Sequence, residues 1–182
     1  MKTILIMIGV AAAVLLLIPA VPAGGAVDMF LHLEGVKGES RAKGYEGWIE
    51  VESFSWGVTN HVDLESGGGA GKASFSELSM GKRLDIASPE LFLRVAQGKH
   101  FPTAELVLRS TGESPEPFFR ITLSQVFVTG SQVEASVDED RPTESVSLVY
   151  GEIEWEYTPR NPDGTTGEPV AAGWDLMSNT AK

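Results

Sequence analysis

Along most of this chain apolar side chains fall on every second position, in runs broken by glycine, proline or acidic turns. Six such runs, residues 29–33, 48–60, 72–80, 103–110, 118–130 and 145–158, are rich in Val, Ile, Phe, Trp and Tyr and predict strands. One segment keeps a different period. Leu91, Phe92, Val95 and Ala96 recur at helical spacing behind Ser88-Pro89-Glu90. Ser88 is placed to cap the free N–H groups of that helix. Pro89 suits its first turn, Glu90 meets the positive end of its dipole, and Gly98 supplies the left-handed residue that ends it. Lys99-His100-Phe101-Pro102 then turns the chain into the fourth strand.

Four of the six runs change phase partway. Ile49 and Val51 hand over to Phe54, Trp56 and Val58, and Ala73 and Phe75 to Leu78 and Met80. Phe119, Ile121 and Leu123 hand over to Val126 and Val128. Val146, Leu148 and Tyr150 hand over to Ile153, Trp155 and Tyr157, beside Gly151. Side chains alternate with period two, so each switch requires a bulge, a break, or burial on the opposite face. Long bent strands shared between two sheets satisfy all four, which predicts a compact barrel or a sandwich with shared corners. The plainer alternative is that each run is two short strands. Beyond residue 158 the chain reads as loop, with Asn161-Pro162-Asp163-Gly164 a strong turn signal. Trp174 and Leu176 dock a last short strand there, and the polar end frays.

The amino terminus follows neither period. Lys2 precedes a charge-free apolar run over residues 4–18, then Pro19, Pro22 and small residues, the layout of a secretory signal peptide. The small-residue rule places the cut between Ala26 and Val27, or alternatively between Ala23 and Gly24. The organisation expected is a cleaved signal over 1–26 and one domain over 27–182. An uncleaved anchor is the other reading. A fifteen-residue helix rises only about 22 Å against a bilayer core of about 30 Å, so anchoring would also need the proline- and glycine-bearing residues 19–26.

Composition narrows the function. The 182 residues include 25 acidic and 14 basic ones, a formal net charge of −11. Losing residues 1–26 removes only Lys2, giving −11 − 1 = −12. That balance excludes the electrostatic footprint of a nucleic-acid binder. With no cysteine, disulfides and thiolate metal sites are excluded. The glycine-rich run 67–72, Gly67-Gly68-Gly69-Ala70-Gly71-Lys72, is superficially like a phosphate loop, but Ser66 stands where a glycine is required and Ala73 where Ser or Thr is. A strand pattern also follows it, not a helix, so it reads as a flexible surface loop. His32, His61 and His100 fall in separate segments without metal-site spacing. Asp138-Glu139-Asp140 lacks the alternation and glycine of a calcium loop and reads as a solvated turn. No serine sits in a G-x-S-x-G elbow. Glu152, Glu154 and Glu156 share one strand face, a wetted acidic surface. No enzyme, cofactor or metal is expected.

Several short pieces, taken in order, resemble the haemolysin-coregulated protein (Hcp) family of bacterial type VI secretion. They are Val36-Lys37-Gly38-Glu39-Ser40, Ser55-Trp56-Gly57, the 67–72 loop, Ser88-Pro89 and Gly98-Lys99-His100-Phe101-Pro102. Glu139-Asp140-Arg141, Thr143-Glu144 with Val146 and Leu148, and Gly173-Trp174 follow. The resemblance implies a mainly β fold, a compact two-sheet β-barrel with one short α-helix. It implies hexameric rings stacked into a hollow tube that works with sheath and spike proteins and holds small effectors. It also implies that the loop bearing Gly67, Gly68, Gly69, Gly71 and Lys72 reaches the neighbouring ring. The leader departs from the family pattern, whose tube proteins leave the cytoplasm through the machine. It suggests an exported relative, periplasmic or extracellular, acting as a binding or envelope-associated assembly module, or more remotely an exported hydrolase. A true start near Met29 would instead keep the chain cytoplasmic before firing.

Overall fold

The computed structural model describes residues 27–61, 71–112 and 114–182; the leader, with Ala23, Gly24 and Ala26, and Gly67, Gly68 and Gly69 of the loop lie outside the described residues. Twelve strands and one helix follow in order: β1 Val27–Leu33, β2 Ile49–Val51, β3 Ser53–Ser55, β4 Val58–Thr59, β5 Ser74–Phe75, β6 Leu78–Arg83, α1 Ser88–Gln97, β7 His100–Ser110, β8 Pro117–Glu134, β9 Thr143–Val149, β10 Glu152–Tyr157, β11 Val170–Asp175 and β12 Thr180–Ala181. The fold is mainly β with one short helix. Ten strands belong to one large antiparallel sheet instead of the two expected, and β4–β5 form a separate two-stranded sheet. One branch runs β12-β11-β10-β8-β7-β1-β2. The other leaves β8 through β9 and β6 to β3. Leu31, Leu33, Ile49, Leu106, Ile121, Leu123, Leu148 and Ile153 pack between the branches and are excluded from solvent.

Each predicted phase switch has a structural cause. Glu52 separates β2 from β3, and its N–H donates across to Gly81 O at 2.8 Å. Ser76 and Glu77 separate β5 from β6. The third switch is a bend inside the continuous strand β8, where Gln125 takes a left-handed φ of 55°. Opposite it on β7 stands Pro102, which has no N–H to give the ladder. The fourth lies beside the third. Gly151 joins β9 to β10, and its N–H donates to Ser124 O at 2.9 Å. A Cβ there would lie 3.0 Å from Gln125 Oε1. The two strands therefore bend together, and Phe119, Ile121 and Leu123 face the same core as Val126 and Val128 despite opposite parity.

Three expectations need correction. His100 and Phe101 already belong to β7, with Phe101 buried, instead of forming a turn. The last strand expected at Trp174 is present as β11, which pairs along β10 and carries Trp174 onto the core edge, but the polar end does not fray: β12 closes a hairpin on β11. Ser88 does not cap α1. The cap position is Ala87, with no side-chain bond, and the Ala87 N–H donates to Asp85 Oδ1 at 3.0 Å. Ser88 Oγ is drawn inward, as described below. Gly98 ends the helix with φ 62°, as its sequence position implies. The helix buries Leu91 and half-buries Val95, while Phe92 is 62% exposed.

Candidate assembly surfaces

The loop expected to reach a neighbour is launched from a narrow ribbon. Val58 pairs with Phe75 and Thr59 with Ser74. At its outer end the Gly71 N–H donates to His61 O at 3.0 Å, and a Cβ on Gly71 would meet that oxygen at 2.8 Å. Glycine is therefore required where the loop returns. At the inner end the Ser76 N–H donates to Gly57 O at 2.9 Å, and the Gly57 N–H to Ser76 Oγ at 2.8 Å. Of the loop residues singled out by sequence, Gly71 and Lys72 are described, and Lys72 is exposed.

Beneath the ribbon lies an aromatic groove of about 460 Å³, lined by Trp56, Val58, Phe75, Trp155 and Trp174 among others. Trp56 lies 6.4 Å from Phe75 and 6.3 Å from Trp155, ring centre to ring centre, and Phe75 stacks on Trp174 at 6.3 Å. Trp56 Nε1–H donates to the Tyr150 hydroxyl, which donates to Ser76 O at 3.0 Å. Burial raises the Tyr150 pKa above its ordinary value, opposed by the bond from Trp56. The groove fixes the ribbon to β10 and β11 by ring packing. It presents an apolar surface with no titratable carboxylate or imidazole among the described residues of its lining.

The most heavily buried polar cluster is one the sequence reading missed. Lys82 Nζ lies 2.7 Å from Asp85 Oδ1, 2.8 Å from Glu144 Oε2 and 3.0 Å from Ser88 Oγ, and donates to Arg83 O at 2.8 Å. The Lys82 and Glu144 side chains are 1% and 0% exposed. Ser131 Oγ donates to Glu144 Oε1 at 2.7 Å and Ser88 Oγ to Glu144 Oε2 at 2.5 Å. For Glu144, burial raises the pKa, but the bonds from Lys82, Ser88 and Ser131 and the Lys82 charge outweigh it and hold the carboxyl below its ordinary value. The cluster pins the start of α1 to β6, β8 and β9. Parity was the available signal: Lys82 continues the inward series Leu78, Met80, Glu144 begins the series Val146, Leu148, and the two are direct cross-strand partners.

The remaining sequence candidates stay apart. His32 packs 5.1 Å from Trp48, His100 lies 5.5 Å from Phe127, and His61 sits at the loop foot. Among the described residues no group of three His, Cys, Asp or Glu is placed to hold a metal ion. Asp138, Glu139 and Asp140 are exposed, with Asp140 3.7 Å from Arg83. Glu152, Glu154 and Glu156 face away from the core residue Ile153, and Glu152 pairs with Lys182. No helix among the described residues is long and apolar enough to cross a membrane.

The chain is thus a mainly β protein with one helix stapled by a buried ion-pair cluster and a two-stranded ribbon seated on aromatic rings. Residues 30–157 match the family model described as "Type VI secretion system effector, Hcp", and the chain belongs to that family. It is 38% identical over 158 residues to protein hcp1 of Pseudomonas aeruginosa, covering 85% of this chain and 98% of that one. Among solved structures it is similar to a type six secretion system protein, with a TM-score of 0.82 at 35% identity, covering 86% of this chain and all of the other. Hcp1 from Salmonella typhimurium gives a TM-score of 0.71 at 29% identity, covering 86% of this chain and 99% of that one.

Proposed function

We propose that this chain is a structural tube subunit of a type VI secretion system, assembling as hexameric rings that stack into a hollow conduit for small effector proteins. The observation that carries the reading is family membership across residues 30–157, joined to a loop-bearing ribbon whose closure depends on Gly71. In this reading the loop holding Gly67–Gly69 and ending at Lys72 touches the next ring. Sheath and spike proteins are the expected partners, the role is structural, not enzymatic, and no cofactor takes part. A ring of identical subunits needs two different faces that meet with closure. Native mass spectrometry and negative-stain microscopy of residues 27–182 test this: the expected result is closed rings at multiples of the subunit mass. A strict monomer at micromolar concentration, indifferent to salt, refutes it.

The apolar leader over residues 4–18 favours a second reading. In it, the signal is removed ahead of Val27 and an Hcp-like module works outside the cytoplasm without a contractile machine. The presence or absence of sheath, baseplate and spike genes beside this one separates the two.

A further inference from the structure

The buried cluster at the start of α1 has the makings of a condensation site as well as a clamp. A primary amine, an acyl acceptor and a proton carrier meet there out of water. Lys82 Nζ lies 2.7 Å from Asp85 Oδ1, with the carboxyl carbon Cγ one bond beyond, and 2.8 Å from Glu144 Oε2. The Lys82, Asp85 and Glu144 side chains are 1%, 7% and 0% exposed. The two carboxylates differ. Glu144 accepts on both oxygens, from Lys82 and Ser88 on Oε2 and from Ser131 on Oε1, and is held as a carboxylate ready to receive a proton. Asp85 has its Oδ1 fixed by the Ala87 N–H at 3.0 Å, with Ser88 Oγ at 3.4 Å. Ala87 is the cap residue of α1, so this N–H lies at the positive end of the helix dipole. It points at the oxygen on which charge builds when Cγ is attacked. A groove of about 340 Å³ over Asp85, walled by Leu84, Pro89, Phe92 and Val133, gives a small leaving molecule a way out.

We propose that Lys82 and Asp85 condense to an intramolecular amide, with Glu144 carrying the proton. Glu144 takes one proton from the Lys82 ammonium and frees the Nζ electron pair. As Nζ attacks Asp85 Cγ and the N–C bond forms, Glu144 passes that proton to Oδ2, leaving one negative charge on Oδ1 under the Ala87 N–H. A second proton then moves from nitrogen to Oδ2, the C–Oδ2 bond breaks, and water departs. Ammonium and carboxylate become amide and water, and neither oxidant nor reductant is consumed. Reactants held in place gain an effective concentration of about 10⁵ M or more, and a site closed to solvent withholds the water that would reverse the step. The ion pair is the freshly folded state, and the amide is what it ages into. The bond ties β6 to the start of α1 in a chain that has no cysteine for a disulfide.

Intact mass of the full chain, followed from purification through prolonged incubation, reads the reaction directly. The expected result is a folded protein lighter than its sequence by one water, with the lighter fraction growing in time. Trypsin should then fail to cut after Lys82, and residues 73–83 and 84–94 should stay joined. Lys82→Met and Asp85→Ala should keep the full sequence mass, and Glu144→Gln should slow the loss by about 100-fold or more. Circular dichroism checks that each variant folds, and the mass of the unaltered chain decides the matter even where one does not. If the folded, unaltered chain keeps its full mass, the amide is overturned. Water lost at another site, or a link from Lys82 to Glu144, overturns the assignment equally. An unchanged rate in a folded Glu144→Gln form removes that side chain from the reaction. The ring reading is independent of this result.

Discussion

Replacing Lys82 by Met removes the single cation from a cavity that holds two carboxylates, with side chains 7% and 0% exposed at Asp85 and Glu144. Methionine keeps the length and most of the volume, so packing changes little and the electrostatic loss is isolated. An uncompensated buried charge of this kind costs about 3–5 kcal/mol, and in a domain of this size that lowers the melting temperature by about 10 °C near neutral pH. Acid should narrow the deficit, and the sign follows from Glu144. In the unaltered protein its pKa lies below the unfolded value: burial raises it, but the bonds from Lys82, Ser88 and Ser131 outweigh burial. Its stabilisation is therefore complete above the unfolded pKa and is lost as pH falls through the folded one. Without Lys82 the opposing burial is left in control, the folded pKa rises, and the variant is relieved as the carboxyl takes a proton. Urea titrations near neutral pH and at about pH 5 measure the difference between the two proteins at each pH. In a double variant with Glu144→Gln the losses should fall short of their sum by about 1–3 kcal/mol, because the groups act as one unit. A loss under about 1 kcal/mol, or a deficit that widens in acid, would refute the reasoning.

A Cβ on Gly38 would sit 2.2 Å from Trp48 O, a backbone atom, so Gly38→Ala should cost about 3 kcal/mol and show as a lowered urea midpoint; a cost below about 1 kcal/mol contradicts the tight β1–β2 loop. Deleting Gly67–Gly69 while keeping Gly71 should leave the circular dichroism spectrum and melting point unchanged and reduce ring stacking in negative-stain images. Equal filament lengths would remove the loop from the stacking contact. Intact mass of the protein recovered from its native host should correspond to a chain starting at Val27, whereas full-length mass in the cytoplasm would show that residues 1–26 are not an export signal.

Periodicity carried the strands because an amphipathic strand must keep one side in the core, and this requirement leaves its mark on every second residue. It also exposed all four switches, but not their kind. Gln125 gives no turn signal, since glutamine is an ordinary strand-tolerant residue, and its left-handed φ is imposed by Pro102 opposite and Gly151 alongside. Ser88 has the residue type of a helix cap, but the buried Asp85 and Glu144 carboxylates, the Asp85 N–H and Lys82 compete for its hydroxyl, and these contacts win. β11 is expected from Trp174, but its start at Val170 is not, because Val170-Ala171-Ala172-Gly173 is short of large apolar residues and relies on β10 for its shape. The aromatic groove was half legible: Trp56 and Trp155 stand out in the sequence, but their meeting under β4–β5 depends on chain crossings that no local pattern records.

The paired bend at Gln125 and Gly151 bears on how relatives of this chain should be aligned. Inside and outside exchange parity at that point, so two homologues differing by one residue in β8 need not have turned their cores inside out. The extra or missing residue can be absorbed at the bend, leaving each half of the strand in its own frame. An alignment that puts its gap ten residues away would assign core positions to solvent along the whole interval. Substitution patterns collected from it would then look contradictory: leucines apparently swapped for glutamates, although each side chain had kept its place.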